Sequence, residues 1–146
     1  IRQAQAAAEG LTDRWRGVAD VARTAMASDV VKQGVATGRY HREVYVAAPE
    51  GPVLVEGFID LVCETDEGLV VVDYKTDGVE TPEEIARSMG RYRLQGGTYA
   101  LALERVTARS VSKVIFLFLH TGSEVVMEDL PGAMKEVRIA VEGLVA

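Results

Sequence analysis

Two aspartates and a lysine carry the chemistry that this sequence offers. Asp60 ends the run Val55-Glu-Gly-Phe-Ile, and Asp73, thirteen residues later, ends Leu69-Val-Val-Val, with Lys75 two residues beyond. Residues two apart on a strand point to the same face, so Asp73 and Lys75 project together from a segment that otherwise reads as buried. Placing a carboxylate and an ammonium in a core costs roughly several kcal/mol unless they pair or bind a metal. A second carboxylate on a neighbouring strand turns that pair into a divalent-cation site with a lysine beside it. This is the chemistry of metal-assisted phosphodiester cleavage. An Asp-x-Lys triplet alone is more often a solvated ion pair; Gly57-Phe-Ile-Asp60 on an adjacent strand gives it weight.

The elements that must hold these residues follow from periodicity and turn signals. Residues 2–28 are alanine-rich, with Leu11, Trp15, Val18, Val21, Ala22 and Met26 near helical spacing, which predicts a long amphipathic helix weakened at Gly10 and Gly17. Trp15 reads as a core or docking aromatic. Ser28-Asp29 signals a short second helix through Gln33 that ends at Gly34. Strands are expected over residues 40–47, 53–64 and 69–76, joined by the turns Pro49-Glu-Gly-Pro52 and Thr65-Asp-Glu-Gly68 into an antiparallel meander. Thr81-Pro82-Glu83-Glu84 is a helix start, with a Thr cap, Pro at the first position and Glu three after the cap; the helix reaches about Glu104. A highly apolar central strand over 111–120 follows, then another over 124–130. A terminal helix opened by Pro131 carries Met134, Val137, Val141 and Leu144 on one side. The order is α, β, β, β, α, β with additional elements at both ends, an α/β chain.

The helix from Pro82 adds a third group of candidates. Gln95 and Tyr99 are four apart and share a face. An amide and a hydroxyl one turn apart can bind a backbone phosphate or a base edge without adding charge. Gly90, Gly96 and Gly97 each cost about 1 kcal/mol relative to Ala in a helix interior, so they imply close approach by the sheet or by a ligand. Arg87 and Arg91 share a face, with Arg93 nearby. Such charges are ordinarily solvated, but beside the other groups they can grip phosphates.

Gly57-Phe-Ile-Asp60, Val71-Val-Asp73-Tyr-Lys75-Thr76 and Gln95-x-x-x-Tyr99, in this order and spacing, resemble the RecB-type nuclease domain of the PD-(D/E)xK superfamily. The resemblance covers roughly residues 42–120. It implies a restriction-endonuclease-like αβββαβ core, a central mixed sheet flanked by helices. It also implies a DNA nuclease using Mg2+ or Mn2+, often within a helicase–nuclease that processes double-strand breaks. By that resemblance Asp60 and Asp73 are metal ligands, joined by a backbone carbonyl of Val72 or Tyr74. Lys75 orients or activates the attacking water, and Gln95 and Tyr99 contact DNA; Arg91 joins them as a DNA contact by its place on the same helix. Many members carry a metal-binding His on a helix before the first strand, yet no His precedes His41 here. Either that ligand lies before Ile1 or the domain lacks it. Glu43 and Glu56 are possible accessory carboxylates, although each reads more simply as a surface strand residue. His120 reads as a satisfied strand end.

Composition sets the remaining bounds. A chain of 146 residues, 48% apolar and 26% charged, suits one domain with one sizeable core. Starting with Ile, it reads as a segment of a longer polypeptide or a processed one, and the resemblance implies a helicase-like protein as the larger context. No apolar run approaches the about 20 residues of a membrane helix, so no membrane partner is expected. The lone Cys63 excludes an internal disulfide and reads as a small core residue in a reducing, cytoplasmic setting. A net charge of −6 argues against a nucleic-acid-coating protein but not against an enzyme acting on DNA. Two rival readings remain: a catalytically inactive nuclease-like module that binds single-stranded DNA or a partner subunit, and a structural domain whose charges pair internally.

Overall fold

In the computed structural model, which describes residues 12–145 and side chains from residue 17, the expected meander is present. Strands β1 (Tyr40–Glu50), β2 (Val53–Thr65) and β3 (Gly68–Lys75) pair antiparallel in sequence order. Helix α3 (Pro82–Thr107) then crosses over to β4 (Val111–Phe118), which lies parallel to β3, and β5 (Ser123–Val126) closes the sheet antiparallel to β4. A parallel neighbour requires such a crossover, and this one is a single long helix. The sheet is mixed and five-stranded, in the order β1-β2-β3-β4-β5. Helix α4 (Leu130–Val145) joins α3 on one face, while α1 (Thr12–Ala27) and α2 (Asp29–Ala36) cover the other.

The apolar runs explain this layering. In β4, Val114, Phe116 and Phe118 enter the core beneath α3 and α4, whereas Ile115 and Leu117 enter the core beneath α2. A strand buried on both faces needs a continuous apolar run, which β3 and β4 supply. The capping box is formed as expected: Thr81 Oγ1 accepts from the Glu84 amide at 3.2 Å, and the Glu84 carboxylate accepts from the Thr81 amide at 3.0 Å. Among the described residues no helix is long and apolar enough to cross a membrane.

One irregularity shapes the region around Asp60. β1 and β2 keep a single register from Tyr40↔Cys63 to Glu50↔Val53, but Glu43 and Asp60 are missing from the ladder. Glu43 has φ 51°, a left-handed conformation that costs an ordinary residue roughly 1–2 kcal/mol. Side-chain alternation inverts there. Ile59 and Val62, three apart, both face α3, whereas Leu61, Cys63 and Tyr40 face α2. A regular strand would put residues three apart on opposite faces. The β2–β3 ladder starts one residue further on, with Leu61↔Val72 as its last pair before the strands part. They form a fork, with Asp60 at the head of one arm and Asp73 at the head of the other.

Element ends depart from expectation for local reasons. The part of the first helix expected over 2–11 lies outside the described residues, as does the side chain of Trp15. α2 runs past Gly34 to Ala36, because Gly34 lies against Cys63, where any Cβ would collide with the sulfur. Ser28 precedes α2 without capping it. Its hydroxyl instead donates to Glu124 Oε1 at 2.5 Å, and the same oxygen accepts from the Val30 amide at 3.1 Å. The strand expected over 124–130 stops at Val126. Asp129, with φ 49°, turns the chain, and its Oδ1 accepts from the Gly132 amide at 3.1 Å to start α4. Gly96 fits against Met127 and Phe116. Gly97 lies where a Cβ would come within 2.7 Å of the Ala133 carbonyl oxygen, so both serve helix packing; Gly90 has no such neighbour.

Candidate active site

The fork leaves backbone groups of β3 without a strand partner, and Asp60 supplies one. Its Oδ2 accepts from the Tyr74 amide at 2.7 Å, satisfying a donor that would otherwise be orphaned. The N–H and C=O of one strand residue point the same way, so the Tyr74 carbonyl also faces the fork. The next carbonyl, of Lys75, points to the other side and accepts from the Leu119 amide at 2.9 Å. Asp73 and Lys75 are buried, at 4% and 9% exposure. Lys75 Nζ sits 2.7 Å from Asp73 Oδ2, but the approach is not aligned as a hydrogen bond and that oxygen has no donor. Buried carboxylate oxygens in this state are uncommon and destabilising. Burial pushes the Asp73 carboxyl up to about 6; Lys75 opposes this and the neighbouring Asp60 charge adds to it.

Helix α3 builds the cradle for Lys75. Gln95 Oε1 accepts from Nζ at 2.6 Å, and Gln95 Nε2 donates to the Tyr99 hydroxyl at 2.8 Å. Tyr99 is buried, and its ring fills the space above Gly57 that a Cβ would need. Burial, then the Asp73 and Asp60 charges, push its hydroxyl up to about 12. Gln95 and Tyr99 thus do share a face, and their polar atoms are turned to Lys75 and to each other. Tyr92, one turn before Gln95, was not singled out by sequence reasoning. Its ring centroid lies 3.9 Å from Lys75 Nζ, with the Phe116 ring at 5.4 Å. The Tyr92 hydroxyl donates to the Asp77 carboxylate, which also lies 3.5 Å from Arg91. The i, i+3 spacing of Tyr92 and Gln95 was the available signal.

The remaining candidates are placed less centrally. Glu43, exposed at the kink, shares with Asp60, Arg42, Tyr74 and α1 a groove of about 530 Å³. Glu56 accepts from the Tyr45 hydroxyl at 2.6 Å, further back along β2. His41 contacts Glu64 at 2.9 Å, and His120 contacts the Thr76 carbonyl at 2.9 Å. Arg93 braces α3 to α4 through Glu136 at 3.0 Å and Asp129 at 3.3 Å. Arg87 is exposed, and Arg91 reaches Ser88 at 3.0 Å besides Asp77. Among the described residues no three His, Cys, Asp or Glu side chains converge. The Asp60 and Asp73 carboxylates lie beside each other, and Asp73 Oδ2 has no aligned donor. Hard oxygen donors of this number suit a divalent cation that completes its shell with water and substrate.

A mixed five-stranded sheet flanked by helices is the architecture of the restriction-endonuclease-like class. The model of the PD-(D/E)XK nuclease superfamily matches residues 1–144, and the chain belongs to that superfamily. Its relatives include several proteins described as subunits of an ATP-dependent helicase/nuclease. The one from Thermoanaerobacter sp. (strain X514) is 41% identical over 86 residues, covering 54% of this chain and 7% of the relative. The one from Desulforudis audaxviator is 41% identical over 80 residues, 55% and 6%. The one from Bacillus pumilus is 35% identical over 94 residues, 58% and 8%. The chain thus spans less than a tenth of the length of these relatives.

Proposed function

We propose that this chain is a divalent-metal-dependent nuclease domain that hydrolyses phosphodiester bonds of DNA. The observation that carries the reading is the buried, donorless Asp73 Oδ2 beside Asp60 and Lys75. Lys75, 2.7 Å away, offsets the burial of that carboxylate only in part, and a bound cation would offset the rest. Asp60, Asp73 and the Tyr74 carbonyl would hold Mg2+ or Mn2+, which supplies Lewis-acid activation of the phosphoryl group and of the attacking water. Lys75 orients the water and stabilises charge developing on the phosphate, as an ammonium held by Gln95 and the Tyr92 ring. Gln95 and Tyr99 keep the lysine and Asp73 in place, while Arg91, at the mouth, is available to phosphate. Glu43 and Glu56 stand as accessory carboxylates only. The helicase/nuclease relatives extend the reading to an exonuclease module of a larger cytoplasmic helicase–nuclease, working in double-strand break repair and recombination beside a helicase domain or partner subunit.

The test is cleavage of linear single- and double-stranded DNA with Mg2+ or Mn2+, comparing the chain with its Lys75→Ala variant. Metal-dependent degradation that the variant loses is the expected result. No cleavage, together with no calorimetric Mn2+ binding, would overturn the reading in favour of a DNA- or partner-binding module.

A further inference from the structure

Of Gly90, Gly96 and Gly97, only Gly90 has no packing reason: a Cβ there would meet nothing within 4 Å. Glycine inside a helix is unfavourable, so the open space above it needs another explanation. That space is a groove of about 610 Å³ between the first half of α3 and β5. Ile85, Met89, Val125 and Met127 give it apolar walls, and Gly90 keeps it wide. Val125 pairs with Phe116 and faces α3, while Val126 pairs with Ile115 and faces α2. Val126 nevertheless lines this groove as well, so the groove wraps over the edge of the strand.

β5 ends the sheet, and among the described residues no strand pairs with its outer edge. Edge strands are ordinarily guarded by a charge, a proline or a bulge. The charge in β5, Glu124, is turned away to the start of α2, where its carboxylate accepts from the Ser28 hydroxyl and the Val30 amide. Val126 stays 50% exposed. On the α2 side the same strand borders a second groove, of about 530 Å³. Asp29, Glu64, Asp66, Glu67 and Glu124 line it, and Lys113 is the one cation among its lining residues. A free edge with a groove on either side is the geometry of strand addition. Backbone hydrogen bonds hold the added strand, and its alternate side chains enter opposite pockets. Charge selects the occupant. A second copy of β5 would bring another Glu124 to the acidic side, whereas Lys or Arg there is complementary.

We propose that β5 takes an extended segment of another protein as a sixth strand, one that alternates apolar and basic side chains. The apolar ones fill the groove above Gly90, and the basic ones lie over the acidic groove beside α2. Neither groove includes Asp60, Asp73 or Lys75, so this surface stands apart from the carboxylate fork and from the nuclease reading.

Two labelled synthetic peptides, one alternating Val with Lys and one alternating Val with Glu, test this by fluorescence anisotropy at low salt. Hydrogen exchange of the amides of residues 123–126 is the second readout. Wild type should bind the Val–Lys peptide at least about tenfold more tightly than the Val–Glu peptide, and the bound peptide should slow exchange in β5. Gly90→Leu should weaken Val–Lys binding at least about tenfold and melt no lower than wild type, because leucine fills open space and favours the helix. If that variant does melt lower, the double variant Asp29→Asn with Glu67→Gln, both exposed, decides instead. It should weaken Val–Lys binding about threefold at low salt, and unchanged binding counts against the proposal. The proposal is overturned if the Val–Lys peptide does not bind, if both peptides bind equally, or if a stably folded Gly90→Leu binds like wild type. A complex that leaves exchange at 123–126 unchanged overturns it too. Concentration-dependent sedimentation of wild type alone, lost in Gly90→Leu, would overturn it in favour of a second copy of this chain.

Discussion

Glu64 on β2 and Asp73 on β3 are both carboxylates with cationic neighbours, and the fold treats them in opposite ways. Glu64 lies at the surface with His41 and Arg109 each at 2.9 Å and Arg39 at 3.8 Å. Hydrogen bonds from His41 and Arg109 pull its carboxyl down to about 2. Asp73 is buried, with a single, misaligned ammonium and a second acid close by, and its carboxyl is pushed up to about 6. An ion cluster that only serves the fold has donors for every oxygen and water within reach. The fork gives Asp73 Oδ2 no aligned donor, which is the pattern the proposed cation site requires.

That contrast can be broken first at the catalytic end. Asp73→Ala should lower the DNA cleavage rate at least about 10³-fold, because it removes a metal ligand and unpairs a buried lysine; a retained rate would remove Asp73 from the site. Tyr92→Leu should cost about 5- to 30-fold through the lost cation–π contact, and Tyr92→Phe much less. Equal rates for the two variants would assign the effect to the Asp77 contact instead. Protonation sharpens the comparison further. The Asp73 pKa is raised, so its contribution to stability is full below the unfolded value and is lost as pH rises through about 6. Mn2+ affinity should run the other way, climbing with pH up to and a little above 6 and then levelling; a calorimetric titration series reads this directly. The smallest effect belongs to Glu64→Gln. It should leave cleavage unchanged and lower stability slightly above its depressed titration range, with the loss fading in high salt as exposed pairs are screened.

What the sequence revealed depended on how local each cause was. Asp60, Asp73 and Lys75 were legible because strand alternation and burial cost act within a few residues. The Thr81 capping box and the shared face of Gln95 and Tyr99 were legible for the same reason. The bend at Glu43 was not, since a left-handed glutamate carries no turn residue to announce it. Glu56 lies four residues before Asp60 on β2, and the fold ties it to the Tyr45 hydroxyl. Tyr92 over Lys75 depends on how α3 lies across β3, and the capping of α2 by Glu124 joins residues more than ninety positions apart. Both exist only once the sheet has formed. Gln95 and Tyr99 were found by spacing, but only the fold turns them toward the lysine.

In the proposed reading the fork holds its carboxylates at a cost to the metal-free fold and recovers it by binding a cation. Thermal unfolding of wild type and Asp73→Asn at pH 8, each with and without Mn2+, tests it most directly. Asp73→Asn should melt about 5 °C higher than wild type without metal, and only wild type should gain further stability from Mn2+. A variant that melts lower than wild type without metal, or equal Mn2+ stabilisation of both proteins, would contradict it.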